Sequence, residues 1–540
     1  MTESMTSIAS GNELSRSAVS ATERHRPGPV VLVIVLLLAI VLAAVLYQPW
    51  VTTPFDILDF SDFLTILRQN DSFALRVSEL TRQYADQGRF NLLNYAFLAW
   101  KWSVFGWNEA AWQVARSAQM LCIVVGVYLL LRKLGADRWG SIVGAGLFIV
   151  AQTASPAWMR LPMGEPLGFM TALGAGLIAT IYQETGRWRV AGAAIAVLLT
   201  ATILTKEMLI VLVPFVLLIA CARNPSGEIE RPRLSRRNVW LGSLTTGGML
   251  VAGIPVVIIA VRAPPTAYSG DYGSGVVSLG HFLYSFLSIM LPVRGLFNGE
   301  VSLFSQFGNL LFLGVVFSGW LLARSDSGAR RRWVPAGLAA LSLAAAAAVV
   351  YLPLPYFYNY YGLPFVLAPA ILVAISITAL ERRRRIWRWV ALGACVVALL
   401  QAALDAAHDS RAAIAARKVH RALIDDFAAH STADSIVVLM RQVPAETWKG
   451  RGPTLGRYAK GVLPGQHFPV LVDAPCSAMP ALVRSGVERA MLVSSSSQCG
   501  SIQGHTRDLR VDYEYIGWPS LKPRRDSIVL SVLGPRVQTR

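Results

Sequence analysis

The chain has 540 residues, of which 54% are hydrophobic and 15% charged, with a formal net charge of +18, against roughly a quarter charged residues in ordinary soluble domains. That balance excludes an ordinary soluble globular domain. The basic residues gather in short segments beside apolar runs, so the charge reads as membrane topology and not as a nucleic-acid surface.

Residues 1–27 are polar, Ser/Thr-rich and end in "ERHRPGP", a disordered tail by composition. The apolar run that follows, Val30 to Tyr47, is too long for a signal-peptide core and shows no small-residue cleavage site, so it is read as an uncleaved anchor. Apolar runs against charged punctuation give about eleven spans: 30–47, 112–131, 140–157, 167–182, 190–205, 208–222, 239–261, 304–323, 334–352, 362–380 and 389–405. Alternate connections are basic, from "RKLGADR" and "GRWR" to "RPRLSRR", "RSDSGARRR" and "ERRRRIWR". By the positive-inside rule these, with the N-terminus, are cytoplasmic in a plasma (inner) membrane. Loops 48–111 and 262–303 then lie outside, together with the C-terminal part from 407 to 540.

The expected fold is mainly α: a polytopic transmembrane helical bundle, residues 28–406, carrying a small extracytoplasmic α/β domain, 407–540. That domain opens with a charged helical stretch, "DSRAAIAARKVHRALIDDFAAH", and continues with the strand-like runs "SIVVLM", "FPVLVDA", "RAMLVSS" and "DSIVLSVL". The pairs Gly140/Gly144 and Gly164/Gly168 suit close helix packing. Cys122, Cys221 and Cys395 fall in predicted spans and are read as small apolar residues. Cys476 and Cys499 lie in the exterior part, where an oxidising compartment would let them pair.

Directly after the first span comes "TTPFDILDFSDFLTIL", with Asp56, Asp59 and Asp62 at spacing three. Thr53 and Pro54 suit a helix start, and Asp56 stands where a capping-box acid belongs. The three acids fall within an arc of roughly 120° on a helix, which the wet face of an interfacial helix would explain equally. The same predicted face carries Arg160 and Glu165 in "WMRLPMGEPLG" and Lys206-Glu207 in "LTKEM", a turn so short that its charges sit at the bilayer edge. Charges at that depth are costly and mark function by default.

The order of these features resembles the GT-C superfamily of polytopic glycosyltransferases, in the branch similar to bacterial protein O-mannosyltransferases and lipid A aminoarabinose transferases. The resemblance covers roughly residues 30–380. It comprises the acidic first loop, "GRFNLLNYAFLAWKWSVFGWNEAAWQVARS", the basic turn after the second span, "WMRLPMGEPLG", "LTKEM" and "YNYYGLPFVLAPAIL". The family often has an Asp-Glu pair followed by an aromatic where this chain has "LDFSDF", which leaves Asp59 and Asp62 competing.

The resemblance implies transfer of a sugar from a polyprenyl-phosphate donor to an acceptor hydroxyl outside the cytoplasm, with inversion at the anomeric carbon. The acceptor would be a glycan, glycolipid or protein. A hydroxyl needs an ionised carboxylate in reach to take its proton; Asp59 is the first choice, Asp62 the second and Asp56 the third. The departing phosphate needs a fixed cation, for which Lys206 and Arg160 stand first, with His281 and Arg294 of the fourth exterior segment as further contacts. Glu165 would orient acceptor or sugar, or pair with Arg160. Glu207, Tyr358 and Tyr361 are candidate substrate contacts, although an interfacial aromatic belt also accounts for the tyrosines. A divalent metal on the aspartates is left open, since their spacing matches no dedicated loop.

No P-loop, dinucleotide turn, HExxH or nucleophilic triad is found. The rival readings are a transporter or lipid flippase, which would put charges near span centres, and a scaffold with an exterior binding domain, which leaves the acids unexplained.

Overall fold

The structure is a computed structural model. It describes residues 29–47, 57–86, 88–151, 153–222, 235–262, 291–293, 306–325, 337–346, 359–383, 385–430, 436–441, 470–475, 490–494, 506–517 and 520–533, with the backbone alone at Asp59, Asp62 and Tyr361. Asp56, His281, Arg294, Tyr358, Cys476 and Cys499 lie outside the described residues.

The helices in chain order are α1 (Pro29–Tyr47), α2 (Ile57–Gln69), α3 (Phe73–Ala85), α4 (Leu92–Phe105), α5 (Glu109–Lys133), α6 (Arg138–Val150), α7 (Ala154–Met159), α8 (Glu165–Ala179) and α9 (Trp188–Thr205). A 3-10 turn, Glu207–Val211, leads into α10 (Leu212–Ala222), followed by α11 (Arg236–Arg262) and α12 (Phe307–Ser325). Then come α13 (Gly337–Ala346), a 3-10 segment Asn359–Val366, α14 (Leu367–Arg383) and α15 (Arg385–His430). Every predicted apolar run holds one of these helices. Five helices among the described residues are long and apolar enough to cross a membrane, and six shorter apolar ones accompany them.

Two runs differ from a plain span. The stretch 140–157 breaks after Val150, where Ala151 turns extended (ψ 146°), and restarts as α7. Pro156 explains the break: inside a continuous helix it would lack an N–H, whereas in the first turn of α7 it loses nothing. The last run does not end near 405 but continues as the single helix α15 through the whole charged stretch, to His430.

Buried apolar side chains of α1 and of α5 through α15 form one core. Close crossings need missing side chains. A Cβ on Gly140 would stand 2.4 Å from the Ala374 carbonyl oxygen, and one on Gly144 2.8 Å from that of Ala370, so α6 lies against α14 backbone to backbone. Cys122, Cys221 and Cys395 are free thiols.

Beyond the bundle, the strands are β1 (Ile436–Arg441), β2 (Val470–Pro475), β3 (Ala490–Ser494), β4 (Thr506–Gly517) and β5 (Lys522–Leu533), in the order β2-β1-β3-β5-β4. β1 pairs parallel with β2 and β3; β5 is antiparallel to β3 and to β4. Four strands coincide with the predicted runs. The fifth, β4 ("TRDLRVDYEYIG"), alternates half-buried Leu509, Val511, Tyr513 and Tyr515 with exposed Arg510, Asp512 and Glu514. That is the period-2 pattern of a half-covered strand; its many charges hid it. α15 covers it, with Arg411 donating to the Glu514 carbonyl (3.0 Å) and the His408 ring 4.3 Å from that of Tyr515.

Candidate active site

The polar centre of the molecule lies at the end of the bundle that bears the sheet, around the short segment from Met159 to Glu165. Four side chains grip its carbonyls. Arg116 of α5 donates through Nη2 to Leu161 (2.6 Å) and Met163 (2.8 Å), and Lys101 of α4 reaches Leu161 at 3.4 Å. Asn94 of α4 donates to Pro162 at 3.5 Å, and Arg417 of α15 donates to Met159. Ser410 on the same helix contacts the Met159 sulfur at 3.6 Å. Backbone acceptors in a buried loop must find donors or lose the free energy of an unmade hydrogen bond, and here long side chains from three helices supply them.

This clamp presents Glu165. Gly164 precedes it as the helix cap, and Pro166 occupies the first turn of α8. A Cβ on Gly164 would come within 2.9 Å of Asn94 Cγ and 3.0 Å of the Thr205 carbonyl oxygen, so glycine is what lets α4 and the end of α9 close around the segment. A carboxylate in the first turn also gains from the helix dipole.

On the facing side α9 ends at Thr205, and Lys206 is extended (φ −158°, ψ 114°) before the chain re-enters a helical turn. That kink turns the Lys206 side chain inward, where Nζ lies 3.6 Å from Glu165 Oε1; both side chains are nearly enclosed. Glu207, next in sequence, is half-buried, and its Oε2 has no hydrogen-bond partner among the described residues. Arg160 caps α7, its N–H donating to the Pro156 carbonyl, and is half-buried at the start of the clamped segment.

Of the residues singled out from the sequence, Glu165 and Lys206 pair directly, Glu207 adjoins Lys206, and Arg160 stands at the start of the clamped segment that ends at Glu165. Sequence reasoning missed Lys101 and Arg116, which are fully buried. Lys101 Nζ lies 4.8 Å from the ring centres of both Phe97 and Trp112. Burial, and next the positive charge of Arg116, hold its ammonium well below the ordinary lysine range. Beyond its two carbonyl bonds, Arg116 has Nε and Nη1 buried without hydrogen-bond partners among the described residues, as has the amide of Gln119 one turn further on. The signal was present in the sequence: a charge at 101, 113–119 polar at every third position, all inside apolar surroundings.

A stack of rings leads from this centre to the acidic helix. Tyr95 of α4 lies within electrostatic reach of Glu207, Lys206 and Arg89; burial, then the Glu207 carboxylate, push its phenol up. Its ring stacks on Tyr84 (5.2 Å), which stacks on Phe63 of α2 (5.0 Å). α2 buries Leu64 and Leu67 and exposes Gln69. At about 100° per residue, position 59 stands about 40° from Phe63 and position 62 about 100° from it, toward the Gln69 side. Tyr361 lies in the 3-10 segment Asn359–Val366. Among the described residues, no group of three or more His, Cys, Asp or Glu side chains converges so as to hold a metal ion.

No protein-family model matches the chain, and no curated protein matches it. Among solved structures, it is similar to ArnT from Cupriavidus metallidurans in the apo state, with 14% identity and a TM-score of 0.48 over 92% of this chain and 97% of that one. The undecaprenyl phosphate-bound form of that protein matches over the same shares, with 15% identity and a TM-score of 0.45. The archaeal oligosaccharyltransferase AglB from Archaeoglobus fulgidus is similar over 86% of this chain and 69% of its own, at 11% identity and a TM-score of 0.44.

Proposed function

We propose that the chain is a membrane glycosyltransferase of the GT-C type, moving a sugar from a polyprenyl-phosphate carrier to an acceptor hydroxyl on the extracytoplasmic face, with inversion. The observation that carries this reading is the buried excess of positive charge at one end of a membrane bundle. The buried cations Arg116, Lys206 and Arg417 meet there with the carboxylates of Glu165 and Glu207, and Lys101 shares the Leu161 carbonyl with Arg116. Such a site favours a ligand that is an anion at the bilayer edge, which a lipid-linked phosphate is.

In this reading the acceptor oxygen attacks the anomeric carbon as the bond from that carbon to the phosphate oxygen breaks, its electron pair leaving with the phosphate. Lys206, with Arg160, balances the charge that develops there. Glu165 holds the Lys206 ammonium in place between turnovers and bears on acceptor or sugar. The acceptor's proton passes to Asp59, whose helix position lies nearer the aromatic stack than that of Asp62. Asp56, Glu207, His281, Arg294, Tyr358 and Tyr361 complete the candidate contacts.

The test is donor turnover in membranes carrying the protein, followed as release of polyprenyl phosphate from a radiolabelled lipid-linked sugar. Asp59→Asn should lower kcat by about 10²-fold or more, the usual weight of a general base, with insertion unchanged and Asp62→Asn far milder. The opposite ranking would hand the base role to Asp62. Wild-type turnover of no lipid-linked sugar would end the glycosyltransferase reading.

A further inference from the structure

β4 and α15 run in opposite directions. Along the helix, His408 meets Tyr515 and Tyr513, Arg411 meets Glu514, and Ile414, Ala415 and Lys418 line a groove with Val511 and Asp512. Rising residue numbers on β4 therefore descend toward the bundle. From Tyr515 the strand continues to Gly517, about 7 Å further at about 3.3 Å per residue, a drop matched by roughly four or five helical residues. The end of β4 at Gly517 thus stands level with the helix a few residues past Leu400, whose side chain, like that of Val396, is apolar and exposed on the outer face of the bundle. The turn is level with the edge of the lipid-facing surface.

Its composition fits that level. Ile516 and Leu521 are 43% and 53% exposed, although nothing in the sheet requires apolar groups there. Leu521 adopts φ 50°, and is the one non-glycine residue with positive φ among the described residues. A branched side chain in that region costs about 1–2 kcal/mol, so the turn holds a leucine outward against its own backbone preference. Behind it stand exposed Lys522, Arg524 and Arg525, of which Arg525 pairs with Glu514. An apolar tip backed by cations is the pattern of a segment that dips into the headgroup layer of an anionic bilayer.

We propose that the β4–β5 turn is a membrane-contact element: Ile516 and Leu521 enter the interface and Lys522 and Arg524 bind anionic lipid headgroups. The partner is the bilayer in which the protein's own helices sit. The contact makes a second attachment of the sheet, independent of α15, and holds whatever reaction the bundle performs.

The experiment uses the full chain in nanodiscs, with the five native cysteines replaced by alanine and an environment-sensitive fluorophore on Leu521→Cys, Ile516→Cys or, as control, Arg510→Cys. Arg510 stands about 23 Å up the strand from Gly517. With a nitroxide quencher carried on the lipid headgroup in phosphatidylglycerol-rich discs, both tip labels should be quenched at least about twofold more than the control, in keeping with insertion to headgroup depth. Lys522→Glu with Arg524→Glu should lose most of that difference while leaving the control label unchanged. Equal quenching at tip and control overturns the contact. Quenching undiminished in discs of phosphatidylcholine alone overturns the assignment of anionic headgroups as the partner.

Discussion

Removing the charge of Glu165 while keeping its shape tests the centre of the site most directly. In Glu165→Gln the Lys206 ammonium stays where α9 turns it, nearly enclosed, with its carboxylate partner gone. At 3.6 Å and an effective dielectric constant of about 20, two unit charges attract by about 4–5 kcal/mol, and breaking one partner out of a buried pair costs about 3–5 kcal/mol. We therefore expect Glu165→Gln and Lys206→Met each to destabilise by about 3–4 kcal/mol. The double variant should cost below the sum, because the Lys206 ammonium is removed with its partner and only the Glu165 interaction with Arg116 is still lost. Unfolding titrations in mixed micelles across the four proteins give the coupling energy. A coupling under about 1 kcal/mol, the level of an exposed pair, would refute the view that this end of the bundle is closed to water.

Three further expectations follow from the same contacts. Arg116→Met removes the donors to Leu161 and Met163; at about 1.5–3 kcal/mol for a bond to a charged group, stability should fall by about 3 kcal/mol, with new protease cleavage inside 160–164 as the local readout. Gly140→Ala forces a methyl against the Ala374 carbonyl and should cost about 1–3 kcal/mol, whereas Gly314→Ala, with open space around it, should be near neutral in the same melts. Lys101 has a folded-state pKa depressed by burial and by Arg116, so its protonated form weakens the fold below that pKa, and the loss is recovered as pH rises toward the unfolded value near 10.4. Wild type should therefore gain stability relative to Lys101→Met as pH is raised from neutral toward 10, and a flat difference across that window would refute the assignment.

Much of the fold was legible because lipid imposes a simple rule: a run such as Val30–Tyr47 has no other way to satisfy its backbone than as a helix. Glu165 and Lys206 were legible for the same reason, as charges where charges are costly. Arg116 and Lys101 also stand as charges in apolar surroundings, but their role was not legible, because a bond to a carbonyl 45 or 60 positions away leaves no local pattern. The length of α15 was hidden by a change of solvent partway along it: its first half reads as a span and its second as a soluble amphipathic helix, although nothing between them breaks the backbone. Spacing does not rank Asp59 and Asp62; the proposed order, Asp59 first, takes Phe63 of the aromatic stack as its reference.

α15 has a mechanical meaning. At 46 residues it is a rod about 69 Å long, fixed in the bundle at one end and bearing the sheet along its outer part. Ser410 and Arg417 tie its middle to Met159, the first residue of the clamped segment. A tilt of about 10° about the Ser410 turn would carry His430 through about 5 Å. A load on the sheet, such as the pull of a tethered polymer, is in this way delivered as torque to the segment that positions Glu165.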